Sequence, residues 1–389
     1  MAVASSIKSA DEAPINAIDW CRGIASLAVI CDHLRHVVFK DYALISTHNV
    51  VSNIFYFACG LGHESVIVFF VLSGLLVGGN GLKALLGRKF SQRKYWAARV
   101  SRIYTVLAPA LLIGGAIDLV GSHVLSGMGL YNPDLVKHST SITQLTPDNL
   151  SLSVLLLNLA MLGGIAAPHL GTNGPLCSLV YEWWYYVLFA LFAAAMTQKG
   201  WRRVVFGALL VALALALPHG LVLWGAFWIV GVAIAFIPDV KIPGFGVVAG
   251  LGFLGALLLS RYLTRVEQHA HPSELMFFLH DGVVAVGFSA LLYALKQLKS
   301  GGSSLVAKVG HILSESSFSN YVTHFPFMIL VASALLSNSR YAYQGDFNAV
   351  GLSFYALLLA SILAYCRIIY VVFEARTNMI RQLLLKIKF

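Results

Sequence analysis

The chain has 389 residues, 58% of them hydrophobic and 11% charged, where an ordinary soluble domain is roughly 45–50% apolar and about 25% charged. Its 27 basic and 17 acidic side chains are too few to cover a 42.1 kDa globule, and mean hydropathy is +0.77; much of the surface must face lipid, which excludes a soluble enzyme. The net charge of +10 is expected in the cytoplasmic loops of a membrane protein and gives no reason to invoke nucleic acid.

Residues 1–16 contain acids and no apolar run, so they read as a cytoplasmic tail, and the first membrane helix is expected to direct insertion. Apolar windows able to cross a hydrocarbon layer of ~30 Å fall at 17–39, 64–80, 95–120, 176–196, 203–218, 220–237, 244–262, 275–295, 311–336 and 348–372. The expected fold is therefore an all-α polytopic membrane protein with ten transmembrane helices. Its membrane domain covers 17–375, and residues 376–389 form a basic cytoplasmic tail. No repeat and no Pro-, Gly- or Ser-rich linker divides it.

An eleventh apolar segment, 150–167, carries Asn158 and the pair Gly163-Gly164. Lys83, Arg88, Lys89, Arg93 and Lys94 place the loop after the second span in the cytoplasm, and the N-terminus with it. If 150–167 does not cross, eleven later basic residues from Lys199 to Lys388 also fall on the cytoplasmic side, against Arg261, Arg265 and Arg340 opposite. Crossing inverts that ratio. The segment is thus expected to be re-entrant or interfacial, buried in protein or lining a cavity, with both termini cytoplasmic and the chain a multi-pass protein of the cytoplasmic (inner) membrane. Cys21, Cys31, Cys59, Cys177 and Cys366 form no CxxC pair and lie mostly in apolar runs, where a reduced, buried thiol is ordinary. They suggest neither a metal site nor a disulfide.

An ionisable side chain inside a span is costly and points to function. The first span carries Asp19, Arg22, Asp32, His33, Arg35 and His36. Arg22 and His33 are eleven positions apart, about 1,100° of helical rotation and roughly 16 Å of rise, so they share a face at different depths. Asp19 is three residues before Arg22, within reach of an ion pair. His33 suits a general base, because its ordinary pKa near 6.5 leaves it neutral at working pH. Asp32 projects about 100° away from it, so the partner that orients the ring is expected from another helix. His280 and Asp281 form a second polar pair in an apolar setting.

Ile18-Asp19-Trp20-Cys21-Arg22-Gly23-Ile24-Ala25, followed by His33, resembles the opening of the membrane-bound acyltransferase 3 family, whose hallmark is a basic residue, ten intervening positions and a histidine. Four further blocks resemble the same family in the same order. Phe69-Phe70-Val71-Leu72-Ser73-Gly74-Leu75-Leu76 is similar to its second-span signature. The stretch from Arg93 to Tyr104 supplies its Arg-x-x-Arg pair as Arg99 and Arg102. Pro175-Leu176-Cys177-Ser178-Leu179-Val180-Tyr181-Glu182 resembles its Trp-Ser-Leu-Ser-x-Glu block, with Cys177 replacing the tryptophan. Finally, the stretch 317–326 resembles its Ser-Tyr-x-x-Tyr-x-x-His-x-Pro pattern through Tyr321, His324 and Pro326, with Phe318 in place of the first tyrosine.

The resemblance implies transfer of an acyl group, usually acetyl, from cytosolic acyl-CoA to a hydroxyl of an exported or cell-surface glycan or a lipid-linked sugar. The donor, acetyl-CoA, carries phosphates that guanidinium groups bind bidentately; Arg99 and Arg102 would clamp them, with Arg93 and Lys94 adding field. His33 would take the hydroxyl proton, Arg22 would stabilise negative charge, and Asp19 would hold Arg22. Glu182 would orient His33 or bind sugar hydroxyls, and Tyr185, Tyr321 and His324 would line the acceptor site. The run Ser314, Ser316, Ser317 with His311 and Glu315 is a further candidate to meet the donor, and Arg367 and Glu374 are expected in structural ion pairs. No Ser or Cys has an activating partner in sequence, so direct transfer is expected rather than an acyl-enzyme. The alternatives are a transporter or flippase for a lipid-linked or anionic small molecule, since intramembrane His, Asp and Arg also mark such paths, and an acyltransferase acting on a cytosolic small molecule.

Overall fold

A computed structural model describes residues 12–127, 129–132, 147–267, 273–297, 304–337 and 344–387. The tail residues 1–11, together with Lys299, Arg340 and Lys388, lie outside them. The described residues form helices and no strand: α1 (Glu12–Val38), α2 (Val50–Ala58), α3 (Gly62–Ser73) with a π-helical continuation Gly74–Gly79, α4 (Asn80–Leu86), α5 (Gln92–Val124), α6 (Leu152–Leu159), α7 (Cys177–Thr197), α8 (Trp201–Ala216), α9 (His219–Ile234), α10 (Phe245–Glu267), α11 (Glu274–Lys296), α12 (Ser304–Glu315), α13 (Ser317–Ser337), α14 (Ala349–Val372) and α15 (Thr377–Lys386).

Among the described residues, seven helical runs are long and apolar enough to cross a membrane, at Val50–Leu86, Gln92–Val124, Gly174–Thr197, Phe245–Thr264, Glu274–Lys296, Ser317–Leu335 and Ala349–Lys386. The three remaining hydropathy windows behave differently for identifiable reasons. Helix α1 has 27 residues, ample length, but carries Asp19, Arg22, Asp32 and Arg35. The two windows at 203–218 and 220–237 become α8 and α9, each of 16 residues and so about 24 Å long. They separate at Leu217, whose φ of −74° and ψ of 151° are extended, because a residue before proline is pushed out of the α region. Taken as one broken span, they raise the count to eight. Bulky apolar side chains stay exposed along α8 and the following α10, with Leu215 at 82% and Val247 at 68%, as lipid-facing surfaces require.

Within 150–167 the helical part is α6, eight residues rising ~12 Å, too short to cross. Its irregular continuation is anchored by buried Asn158, whose amide donates to Val154 O and Pro168 O (2.9 Å each) and whose Oδ1 accepts from Leu170 N at 3.3 Å. Met161, buried at φ +59°, gives its carbonyl to Trp184 Nε1 at 2.9 Å. The non-helical backbone is thus tied down at Asn158 and Met161, while Gly164, Ala166 and Pro168 stay exposed.

Two compact units form, one from the residues up to 25 with 63–90 and 219–317, the other from 26–62, 91–218 and 318 onward. In lipid, helices associate through close packing, which favours small residues at crossings. In the first unit a Cβ on Gly74 would overlap the Trp228 carbonyl, and one on Gly231 the Val71 carbonyl. Trp228 Nε1 also donates to Ser73 Oγ at 3.2 Å. The Phe69–Leu76 block is therefore a backbone-to-backbone joint between α3 and α9. Helices α1 and α12 meet similarly, a Cβ on Gly310 falling 2.5 Å from Trp20 Nε1 and one on Gly23 falling 2.7 Å from Leu313 Cβ.

In the second unit, Pro326 lies inside α13 and has no N–H to give the Val322 carbonyl. Asn173 Nδ2 supplies the missing donor at 3.0 Å. Asp118, fully buried in α5, accepts from Thr172 N (2.7 Å), Thr172 Oγ1 (3.0 Å) and Tyr131 Oη (3.3 Å); Gly171 beside it sits at φ +58°, where a Cβ would strike the carboxylate. The end of α1 is held by the 344–347 turn through Gly345 N→Val38 O and Lys40 N→Gly345 O, both 3.0 Å. Beyond the spans, Asp346 accepts from Ser46 N at 3.0 Å and Lys40 Nζ at 3.3 Å, which hold its carboxyl below the usual range.

Candidate active site

In the second unit, His33 of α1 meets His324 of α13. His33 Nδ1 lies 2.9 Å from His324 Nε2, and the ring planes are within 6° of parallel. His324 is fully buried, and its Nδ1 faces two carbonyl oxygens, Asn320 at 2.8 Å and Tyr321 at 3.1 Å. Carbonyls only accept, so His324 Nδ1 carries the hydrogen. In neutral His324 the Nε2 is then an acceptor, which places a hydrogen on His33 Nδ1 and leaves His33 Nε2 with its lone pair. That nitrogen has no hydrogen-bond partner among the described residues. Phe325 packs edge-on against His33 at 5.1 Å and fixes the ring from the side. The orienting partner thus comes from another helix, as the 100° divergence of Asp32 requires, and it is His324 rather than Glu182.

Asp32, Arg35 and His36 make a separate cluster one turn on. Arg35, buried at 5% exposure, bonds Asp32 Oδ1 at 3.2 Å and donates its Nε to Cys59 O at 3.3 Å, while its guanidinium covers the Tyr56 ring at 5.5 Å. The Asp32 side chain lies against Gly62, where an added Cβ would fall 2.8 Å from Asp32 Cβ.

The Arg-x-x-Arg pair divides. Arg102 Nη1 is 2.7 Å from Glu374 Oε1, and Glu374, 4% exposed, also accepts from Ser319 N (2.9 Å) and Ser319 Oγ (2.6 Å). Arg102 is thus held in a structural ion pair, and Glu374 reaches it instead of Arg367, which stacks on Tyr370 at 4.5 Å. Arg99 lies over the Tyr186 ring at 5.6 Å, and its buried Nε has no acceptor among the described residues. The Tyr186 hydroxyl bonds Glu182, four residues earlier on α7, and Tyr95 Oη donates to Tyr186 O at 3.1 Å. Arg99 and Glu182 therefore share Tyr186. Arg93 caps α15, donating to the Leu385 and Ile387 carbonyls that helix ends leave open, and Lys94 is exposed. Tyr185 is buried. Tyr321 Oη donates to Pro175 O at 2.8 Å and accepts from Ser178 Oγ, tying α13 to the start of α7.

In the first unit, Asp19 and Arg22 meet the serine run: Ser314 Oγ donates to Asp19 Oδ1 at 2.9 Å, and Arg22 Nη2 lies 3.4 Å from Ser317 Oγ. His311 pairs with Glu315 at 3.3 Å. The same unit holds polar groups that sequence reasoning reached only in part. His63 Nε2 is 2.7 Å from Asp281 Oδ1, and Trp224 Nε1 donates to Asp281 Oδ2 at 2.7 Å. Buried Glu64 accepts from Ser260 Oγ at 2.7 Å, and His280 Nε2 lies 2.8 Å from the same hydroxyl. Glu64 stands two residues into α3 within an apolar run, and that isolated carboxylate was the available signal. Among the described residues no three His, Cys, Asp or Glu side chains are placed to hold a metal ion.

Residues 15–371 match the family profile described as the acyltransferase domain, Acyl_transf_3. The chain belongs to the acyltransferase 3 family. No curated protein and no solved structure matches it. The family assignment and the apolar helices together make it a multi-pass membrane acyltransferase, which uses an acyl donor and an acceptor. The match runs through His33, Arg99, Glu182 and His324, so the paired histidines of α1 and α13 lie inside the acyltransferase domain.

Proposed function

We propose that this acyltransferase transfers acetyl from cytosolic acetyl-CoA to a hydroxyl of an exported or cell-surface glycan or lipid-linked sugar, at the cytoplasmic (inner) membrane, with His33 as general base. The observation that carries the reading is the one-directional hydrogen-bond chain from His33 Nδ1 through His324 to the Asn320 carbonyl, which leaves His33 Nε2 as a positioned lone pair. In the reaction, His33 Nε2 takes the proton as the acceptor oxygen bonds to the thioester carbonyl carbon; the carbon–sulfur bond then breaks, and the proton passes to the departing thiolate. Direct transfer needs no acyl-enzyme. The His33–His324 bond holds the tautomer through both proton transfers.

For the donor, the fit is carried by Arg99. A half-buried guanidinium whose Nε lacks an acceptor is a donor fork awaiting an anion, and we assign it a phosphate of the coenzyme. Arg102, neutralised by Glu374, then acts by fixing α5 against the end of α14 rather than as the second prong. Glu182, linked to Arg99 through Tyr186, is assigned to hold the acceptor or the Arg99 side chain, while Arg22, beside Ser317, is assigned to stabilise negative charge on the donor and Asp19, bonded by Ser314, to hold the Arg22 guanidinium. Tyr321 and Tyr185 shape the wall by packing.

The test supplies labelled acetyl-CoA to membranes carrying the wild-type chain, His33→Ala or Arg99→Ala, with extracted glycans as acceptors. Label should enter the glycan fraction with the wild type, fall by about 10²-fold or more without the base, and require higher donor concentration without Arg99. Absence of donor binding to the purified chain, or transfer unchanged in His33→Ala, overturns the reading.

A further inference from the structure

Cys31 of α1 and Cys59 at the end of α2 stand 28 residues apart in sequence, yet in the second unit both lie against the same side chain, Tyr355. Tyr355 of α14 closes the group: its hydroxyl lies 3.4 Å from Cys59 Sγ and 3.1 Å from Cys31 O. The segments on either side are packed together: the Asp32 side chain lies against Gly62, where an added Cβ would fall 2.8 Å from Asp32 Cβ, and Arg35 Nε donates to Cys59's own carbonyl. Both cysteines are half-buried, and neither takes part in the acyl-transfer chemistry assigned above. Cys21, Cys177 and Cys366 are placed elsewhere, Cys366 against Thr323 Oγ1 at 3.6 Å.

We propose that Cys31 and Cys59 are a modification site, oxidised to an intramolecular disulfide by a disulfide-bearing oxidant of the thiol-exchange class. Cys59, beside the Arg35 guanidinium, attacks the oxidant's disulfide as a thiolate and forms a mixed disulfide, releasing one oxidant sulfur as a thiolate. The Cys31 thiolate then attacks Cys59 Sγ and releases the second. Two electrons pass to the oxidant, and the two cysteine protons go to solvent or to the released thiolates. The bond staples α2 to α1 two residues before His33. That the oxidant acts at the outer face, where thiols persist oxidised, rests on the membrane orientation of the proposed function; the pairing itself does not.

The full chain in isolated membranes is treated with diamide or with a phosphine reductant, denatured, alkylated with iodoacetamide, digested and analysed by mass spectrometry. After diamide, the Cys31 and Cys59 peptides should appear joined, two hydrogens lighter than their sum, while Cys21, Cys177 and Cys366 are alkylated as in the reduced sample. Cys31→Ala and Cys59→Ala should each abolish the joined peptide. Equal alkylation of Cys31 and Cys59 in both samples, or linkage of either to another cysteine or a second copy, overturns the proposal. Acyl transfer is not the readout, so a chain that links these peptides but transfers no acetyl refutes the proposed function and leaves the pairing intact.

Discussion

His324→Leu removes the acceptor that His33 Nδ1 now has at 2.9 Å and replaces a fully buried ring with an apolar side chain of similar bulk. The abandoned N–H must find another partner or let the ring turn, at about 1–3 kcal/mol for an unsatisfied buried donor. If that cost falls wholly on the reactive tautomer, the transfer rate drops about 5- to 150-fold, at 1.36 kcal/mol per decade. The assay is the initial rate of label transfer from saturating acetyl-CoA in membranes with matched protein levels. Donor KM should hold, because His324 touches no donor group, so the loss lies in kcat. His324→Gln, which offers an amide oxygen, should recover part of the rate. In the His33→Ala background the same change should add almost nothing, since the two histidines act as one device. A His324→Leu enzyme at full rate, or losses that multiply in the double variant, refutes the chain of inference from carbonyl to base.

Breaking the Arg102–Glu374 pair by Arg102→Gln leaves a buried carboxylate uncompensated and should cost about 3 kcal/mol, the low end for such pairs because Arg102 is one-third exposed; thermal unfolding in detergent should show much of this recovered in Arg102→Gln with Glu374→Gln. Asn173→Ala should cost about 1–2 kcal/mol by stranding the Val322 carbonyl, and less in a Pro326→Ala background, where the restored N–H takes over; equal costs in both backgrounds would show that the amide is not answering the proline. Gly231→Ala drives a methyl onto the Val71 carbonyl and should abolish stable expression, whereas Gly250→Ala, which meets open space, should express normally.

Much of this was legible in the chain itself. Seven of the ten hydropathy windows are helices that can span, and 150–167 lacks a helix long enough to cross. The windows at 203–218 and 220–237 mislead because hydropathy averages over Leu217-Pro218, where backbone sterics decide. Side-chain spacing found His33 and the need for a partner from elsewhere, but no pattern within one helix can say which of several polar residues on α7, α11 or α13 arrives there; the Asn320 and Tyr321 carbonyls beside His324 are a tertiary fact. The Arg-x-x-Arg spacing puts both guanidiniums on one face, yet Glu374, 272 residues after Arg102, claims one of them. Ser73, Gly74 and Pro326 sit in blocks that look chemical in sequence and prove to serve packing, because close crossings and freed carbonyls leave as strong a signature as catalysis. Tyr355 likewise brings Cys31 and Cys59 together with no local spacing rule to announce it.

The claim on which the account turns is that His33 Nε2 accepts the proton of the attacking hydroxyl. Its most direct measurement is single-turnover transfer from saturating labelled acetyl-CoA by His33→Gly, with and without added imidazole. The account predicts a fall of about 10²-fold or more, partly reversed by imidazole in proportion to its concentration. A His33→Gly enzyme that transfers acetyl at the wild-type rate would contradict it.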